Sequence, residues 1–376
     1  MMTKTKVMVW GMTTTSRSPE LEISRLKALV KESGLSLVGV VSRLDAERVL
    51  NKEKKRLEAW QSKGFAADLE YMKRPGELFC DLDGFLPGTR SVISLAVSYY
   101  SPLDHQPKLG FGRVARYAWG KDYHRVLKKR LKNFISGLTE ALSFGEEIRC
   151  RQFSDAVPLL ERALFSSTGS GFIGKNTMMI VPGVGSWTFV AELLTNIEVQ
   201  ESQSLGPVIK EGQDCGTCTS CLVACPTKAF EEEYSLNAGK CISYLTIEKK
   251  NSFSDWEQQA VEDWVFGCDV CQEVCPFNHA GISESEEERF APSNGVGPWL
   301  NLDQALSINS KEDFLHFFAG TPLMRAGRDG LIRNAAAVAA NQQFSDCKPQ
   351  LIKLHESRNE SQLVKNSVYQ ALERIG

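Results

Sequence analysis

Eight of the chain's eleven cysteines crowd between residues 215 and 275, and only Cys80, Cys150 and Cys347 lie elsewhere. A disulfide scaffold spreads its cysteines through a short secreted chain. In 376 residues such crowding points instead to metal ligation. Cys215, Cys218, Cys221 and Cys225, followed by Pro226, form C-x2-C-x2-C-x3-C-P, the run in which three thiolates hold one iron-sulfur cluster and the fourth reaches a second. A shorter run, Cys268, Cys271 and Cys275-Pro276, has Val265 where a first cysteine would stand, and Cys241 lies upstream of it. Eight thiolates at four per cluster make two [4Fe-4S] clusters. The crossing rule assigns Cys215, Cys218, Cys221 and Cys275 to one, and Cys225, Cys241, Cys268 and Cys271 to the other. Zinc also accepts C-x2-C pairs, but it seldom uses a third cysteine two residues on with a Cys-Pro behind it.

The 44 Lys+Arg against 46 Asp+Glu exclude a uniformly basic nucleic-acid binder, so any nucleic-acid surface must be a local patch. At ~150 residues per domain, two or three domains fit. No apolar run approaches the ~18 residues of a membrane span. The start, Met1 to Ser16, has no signal-peptide apolar region or twin-arginine pair, so a cytoplasmic protein without membrane contact is expected.

A helix start is legible at Ser18 as N-cap with Pro19 behind it, Glu20 and Glu22 in the first turn, and Ile23, Leu26 and Val30 on one face, ending at Gly34. Leu35–Val41 and Ser91–Val97 read as buried strands, the second entered through Pro87-Gly88. Asp122–Leu142 predicts a long amphipathic helix and Val157–Ser166 a shorter one. Strands are expected at Thr177–Val181 and Trp187–Leu193. This alternation predicts an α/β domain over residues 1–200. Gln200–Gln213 reads as a connection to a ferredoxin-like double-cluster segment, 201–285, and acidic Ser283–Arg289 as a solvated linker. Residues 286–376 read as helical: Lys311–Phe318, Gly330–Ala340, Cys347–Leu354 and Glu360–Ile375. Paired short helices of this kind suggest a small solenoid-like cap. The fold class is thus a multidomain α+β and α/β protein.

Gly169-Ser170-Gly171-Phe172-Ile173-Gly174 matches G-x-G-x-x-G, and Gly169 to Asn176 nearly matches the phosphate loop. Both motifs must follow a strand and open a helix, and here a helix precedes and a strand follows. A plain turn and a loop that brings backbone close to a large flat ligand remain open. Asp155, ahead of Pro158, reads as an N-cap or an acid. Arg113, Arg116, Lys121, Arg125, Lys128, Lys129, Arg130 and Lys132 stand against one acid, Asp122, between residues 112 and 134. This stripe is either a solvated helix face or a phosphate-binding surface, and Arg325, Arg328 and Arg333 form a smaller cluster with the same ambiguity. His124 is a potential metal ligand or a structural histidine.

Taken together, these segments resemble the epoxyqueuosine reductases of tRNA queuosine synthesis. The resemblance is carried by Arg116-Tyr117-Ala118-Trp119-Gly120-Lys121-Asp122-Tyr123-His124, Asp155 through Glu161-Arg162-Ala163, and Gly171-Phe172-Ile173-Gly174-Lys175-Asn176-Thr177. It continues through Gly185-Ser186-Trp187, both cysteine runs, Cys241 to Glu248, and Arg333-Asn334-Ala335. It implies a cobalamin-dependent enzyme that reduces epoxyqueuosine to queuosine at the wobble position of tRNA, the last step of queuosine synthesis. Cobalamin would sit in the N-terminal domain without a protein ligand on cobalt, fed by the two clusters and an external electron donor. The C-terminal helices would be HEAT-like and would help grip tRNA. Asp155 matches the family's proton donor, and Ala115, Gly174, Lys175, Asn176, Thr177 and Ser243 fall on cobalamin-contact positions. Lys128, Lys129, Arg130, Arg325, Arg328 and Arg333 are the candidate tRNA contacts, and a monomer is expected. The cluster with Cys241 would lie nearer the corrin, because Ser243 sits beside it.

The sequence departs from the family at Glu77-Leu78-Phe79-Cys80-Asp81-Leu82, where the family often carries a basic residue and a proline. A reductive dehalogenase would share cobalamin and two clusters but is usually exported with a twin-arginine signal. A plain electron-transfer protein would have no use for the first 200 residues. A P-loop ATPase fails on the order of helix and strand.

Overall fold

The computed structural model describes residues 23–103, 108–141, 147–155, 157–198, 202–206, 208–210, 212–279 and 281–375. The helix start read at Ser18 to Glu22 lies outside them. In chain order the first elements are α1 (Ile23–Glu32), β1 (Ser36–Ser42), α2 (Arg43–Ser62), α3 (Leu82–Phe85), β2 (Ser91–Ser98), β3 (Phe111–Val114), α4 (Tyr123–Ala141), β4 (Cys150–Phe153) and α5 (Glu161–Ser167). Then come β5 (Phe172–Ile173), β6 (Met179–Ile180), β7 (Thr188–Thr195) and β8 (Gln203–Ser204). The cysteine segment holds α6 (Ser220–Ala224), β9 (Phe230–Glu232), β10 (Ser235–Leu236), α7 (Ile242–Ile247), α8 (Asp255–Ala260), β11 (Trp264–Phe266) and α9 (Val270–Glu273). The rest is β12 (Trp299–Asn301), α10 (Leu302–Leu306), α11 (Lys311–Phe318), α12 (Gly327–Asn341), α13 (Lys348–Glu356) and α14 (Gln362–Ile375).

The main sheet runs β4-β7-β2-β1-β8, and every pairing in it is antiparallel. This corrects the parallel sheet that an α/β alternation implies. The physical reason is that both faces are covered. Val40, Ile93, Leu95 and Leu193 pack under α1 and α4, while Val41, Val92 and Leu194 pack under α2 and α5. Strands buried on two faces read as continuous apolar runs whichever way they point. Helix α2 starts on Ser42, whose hydroxyl accepts the Asp45 amide at 3.2 Å, as an N-cap should.

A second sheet, β11-β3-β12, draws one strand from each of the three sequence segments. Here β3 pairs parallel with β11 and antiparallel with β12, so the cysteine segment and the C-terminal helices are stitched to the first segment by main-chain hydrogen bonds. Its strands are three or four residues long, too short for a period-2 signal. Behind it, Leu331, Ala335 and Val338 of α12 share one apolar core with Val364 and Val368 of α14.

The acidic stretch before Phe290 is not the solvated linker expected. Ser285 bonds back to Ser98 and Tyr100, and Glu287, 6% exposed, pairs with both Arg130 and Arg289. Among the described residues no helix is long and apolar enough to cross a membrane.

Candidate functional site

The cysteines sort by mutual field into two groups. The Cys221 thiol is pushed up first by burial and then by Cys215 and Cys275. Burial again comes first for Cys275, followed by Cys215 and Cys218. In the other group Cys268 is pushed well up by burial, then by Cys241 and Cys225, and Cys271 by burial, then Cys268 and Cys241. Three thiols of each group are driven toward their neutral form, which bound iron would offset, since its charge stabilises the thiolates. Among the described residues no three His, Cys, Asp or Glu side chains close to the spacing of one metal ion; a four-iron cluster presents a separate iron to each sulfur.

The groups differ in setting. Cys215 receives the Lys175 amide at 3.4 Å. Cys218 stands within 3.4 Å of the Ser220 hydroxyl, which holds its thiol below the ordinary value. Cys241, pushed up by burial, is opposed by donors from Tyr244 and Ser243. Helix α7, which opens on Cys241, is clasped from behind by α12. The Arg333 guanidinium donates to the carbonyls of Leu245, Lys249 and Asn251 at 2.7–2.8 Å, and Asn334 donates to those of Thr246 and Val265.

Beside this second group stand the residues read as cofactor contacts. Ala115 packs with Cys268, Ile242 and Tyr117 and donates to the Phe266 carbonyl. The Asn176 amide donates to the Cys271 carbonyl at 3.2 Å. A Cβ at Gly174 would lie 2.6 Å from Ile180, and one at Gly267 would lie 2.5 Å from Ala115, so the chain there keeps its side chains small. Thr177 sits at φ 63° with its carbonyl held by Arg162. A flat, wide group fits such backbone-lined ground. His124, read as a potential metal ligand, is bound to Asp122 at 2.9 Å and stacked on Tyr123. Lys175 departs from the expectation. Its ammonium is taken by the Gly216 carbonyl at 2.8 Å and Glu233 at 2.7 Å, so its side chain serves the first cysteine loop.

Asp155 is exposed and lies at φ 53°. Its Oδ2 accepts the Tyr123 hydroxyl at 3.0 Å, and its amide donates to Glu161 Oε1 and Oε2, each at 3.0 Å. Tyr123 is itself fixed by stacking on Phe189 at 4.2 Å. Its phenol is driven up by burial and by the Asp155 charge. The same charge reaches Tyr117, which also feels Asp269 from the cysteine segment, and Tyr71, pushed up to about 12 by burial and then Glu248. Asp155 is thus bonded to Tyr123 and felt by Tyr117 and Tyr71, and Tyr117 packs beside Ala115 and Cys268 of the second cysteine group. Sequence reading missed Tyr71, Tyr117, Tyr123 and Glu161 as site residues. The last three lie inside the family-like segments and were open to being singled out, whereas nothing marks Tyr71.

The basic candidates divide. Lys128 and Lys129 stand exposed on the outer face of α4, and Arg325, 60% exposed, pairs with Glu248 at 2.7 Å. Arg130, Arg328 and Arg333 do not form a nucleic-acid surface. Arg130 is turned inward onto Glu287, Arg328 is bound by Glu360 at 2.6 Å and by the Ile308 carbonyl, and Arg333 is 1% exposed. Two cavities of about 500 and 240 Å³ lie between these C-terminal helices, with Arg328 on the wall of both. Neither touches a cysteine or Asp155.

Known proteins place these features. A model described as a 4Fe-4S double cluster binding domain matches residues 214–278, and one described as epoxyqueuosine reductase QueG, DUF1730, matches residues 80–156. The epoxyqueuosine reductase of Pseudomonas aeruginosa is 35% identical, with 92% of each chain covered. That of Leadbetterella byssophila is 34% identical over 83% of this chain and 97% of its own. A crystal structure of epoxyqueuosine reductase with an epoxyqueuosine-modified tRNA-Tyr stem loop superposes with a TM-score of 0.81 at 28% identity, covering 94% of this chain and 90% of that one. The Bacillus subtilis enzyme, solved with its catalytic aspartate loop swung out of the active site, gives 0.77 at 28% identity over 94% and 91%.

Proposed function

The chain belongs to the epoxyqueuosine reductases, and from that premise we propose how its residues divide the work. The reaction reduces epoxyqueuosine to queuosine in tRNA, and the protein carries two [4Fe-4S] clusters. Turning an epoxide into an alkene breaks two C–O bonds and releases water, consuming two electrons and two protons. Our assignment is that Cys215, Cys218, Cys221 and Cys275 hold an outer cluster, and Cys225, Cys241, Cys268 and Cys271 an inner one. An external donor of single electrons feeds them in that order. Ala115, Ser243 and the backbone of Gly174 to Thr177 would hold cobalamin, which when bound would supply the strongly reducing chemistry that the epoxide needs.

Asp155 delivers a proton as the oxygen leaves, and Tyr123 keeps its carboxyl turned to the cleft. The observation that carries this reading is the place of Tyr117, which feels the Asp155 charge and packs beside Ala115 and Cys268. A catalytic loop that swings out, as in the Bacillus subtilis relative, fits an acid held by two side-chain contacts rather than by burial. The tRNA lies across Lys128, Lys129 and Arg325, with the C-terminal helices as a HEAT-like support and the chain acting as a monomer.

The test is nucleoside mass spectrometry of epoxyqueuosine-bearing tRNA after anaerobic incubation with cluster-loaded protein, cobalamin and a strong reductant. Queuosine should form only with cobalamin. Asp155→Asn should leave both cofactor spectra intact and lower turnover by ~10²–10⁴-fold, the usual worth of a positioned acid. Unchanged turnover would remove Asp155 from the role.

A further inference from the structure

Asp155 holds a left-handed backbone that residues with a Cβ seldom adopt, and its side chain is exposed, so its own burial does not keep it there. What does is the first turn of α5. Glu161 opens that helix, yet its carboxylate does not cap it; both oxygens reach back six residues to the Asp155 amide, 3.0 Å each. The next residue, Arg162, donates to the Thr177 carbonyl, so adjacent side chains clamp the acid's turn and the loop at Thr177.

We propose that Glu161 is the positioning residue for Asp155, a latch whose ionised carboxylate holds the acid's loop against the cleft. This rests on the reading of Asp155 as the proton donor. The surroundings make the latch sensitive to pH. Burial pushes the Glu161 carboxyl up to about 8; the bond from the Asp155 amide and the charge of Arg162 oppose this, and the Asp155 charge adds to it. Behind it on β7 lies Glu192, itself fully buried and pushed well up, which feels Glu161, and Glu53 of α2 faces Arg162. An ionised carboxylate accepts the amide with two charged oxygens, whereas a protonated one keeps a single neutral acceptor, and charge-assisted bonds are the stronger. The latch therefore binds the deprotonated form more tightly, and its hold strengthens as pH rises through about 8.

The experiment uses the holoenzyme, with kcat and KM for tRNA followed across that range and residue-level hydrogen-deuterium exchange read at the Asp155 amide. Glu161→Gln keeps the shape and one acceptor. It should lower kcat roughly 10-fold with KM unchanged, erase the rise of kcat near pH 8, and speed exchange at Asp155. Glu161→Ala should lower kcat further, toward the ~10²-fold that a displaced catalytic group loses. If the Ala variant fails to fold, as cluster absorbance will report, the Gln variant alone decides between latch and no latch. Wild-type kcat with the pH rise intact in Glu161→Gln, or unchanged exchange at Asp155, overturns the latch. Faster exchange in Glu161→Gln together with full turnover in Asp155→Asn would instead keep the latch and overturn the acid.

Discussion

Cys218 lies in a loop whose neighbours Gly216, Thr217 and Thr219 are exposed, with a serine hydroxyl at its sulfur, whereas Cys271 sits between Asp269 and Gln272, 2% and 6% exposed, under the Asn176 amide. These two cysteines, one from each quartet, thus occupy opposite electrostatic settings: hydrogen bonding lowers the Cys218 thiol, and desolvation raises that of Cys271 well above its ordinary value. Cluster potential follows sulfur hydrogen bonding and exposure, and this asymmetry supports the proposed division into an outer and an inner redox site. In that proposal a surface donor feeds the first, while Cys268 of the second packs against Ala115.

The sharpest way to break this comparison is to delete one ligand from each side. Cys271→Ala should bring turnover to background with any reductant, because the inner site delivers the electrons. Cys218→Ala should abolish turnover with a protein donor yet leave a measurable rate with a small chemical reductant that diffuses into the cleft. Iron content and circular dichroism would confirm that each variant keeps its fold and its other cluster. Equal losses with both reductants would mean the two sites are not ordered outer to inner.

The cysteine half of this picture was written in the sequence, because cluster ligation imposes spacing on neighbours along the chain and spacing is what a sequence displays. Asp155 and Gly171 to Thr177 were singled out through resemblance, and Glu161 lay within reach of the same reading, but its contact with Asp155 did not, since it is made through a left-handed turn, and nothing in the sequence marks Tyr71. The antiparallel order of the main sheet was hidden because helices cover both faces. Helix α2 went unread, its 20 residues burying only Ala46, Leu50 and Leu57 beneath a largely charged surface. The basic residues show the opposite failure, since a cluster of arginines says nothing of which way each points. Arg333 reads as a phosphate ligand and is in fact a buried clasp, its guanidinium drawn down to about 10 by desolvation and laid 4.1 Å over the Phe253 ring.

That clasp belongs to the inner site alone, which makes it a second lever on the comparison. Arg333→Ala orphans three carbonyls at the end of α7 and its following turn, and losses of this kind run to ~3 kcal/mol. For a chain of this size the melting temperature should fall by roughly 4 °C. The inner cluster should lose iron to a chelator faster than in the wild type while the outer cluster keeps its rate. A melting point within about 1 °C of wild type would show that the clasp adds nothing to the fold.

The smallest effect tests the outer site. Lys175 places one positive charge there, bound to the Gly216 carbonyl and to Glu233, and its amide meets Cys215. Lys175→Met keeps the amide and the stem while removing the charge, so the outer cluster, gaining an electron with less compensation nearby, should become slightly harder to reduce. Glu233, released from its pair, adds to that direction. Because the shift is local, a redox titration followed by electron paramagnetic resonance should show the outer midpoint moving to lower potential with the inner one fixed. Movement of the inner midpoint instead would place the Lys175 charge at the corrin side, where the family's pattern first put it, and would reverse which cluster this loop serves.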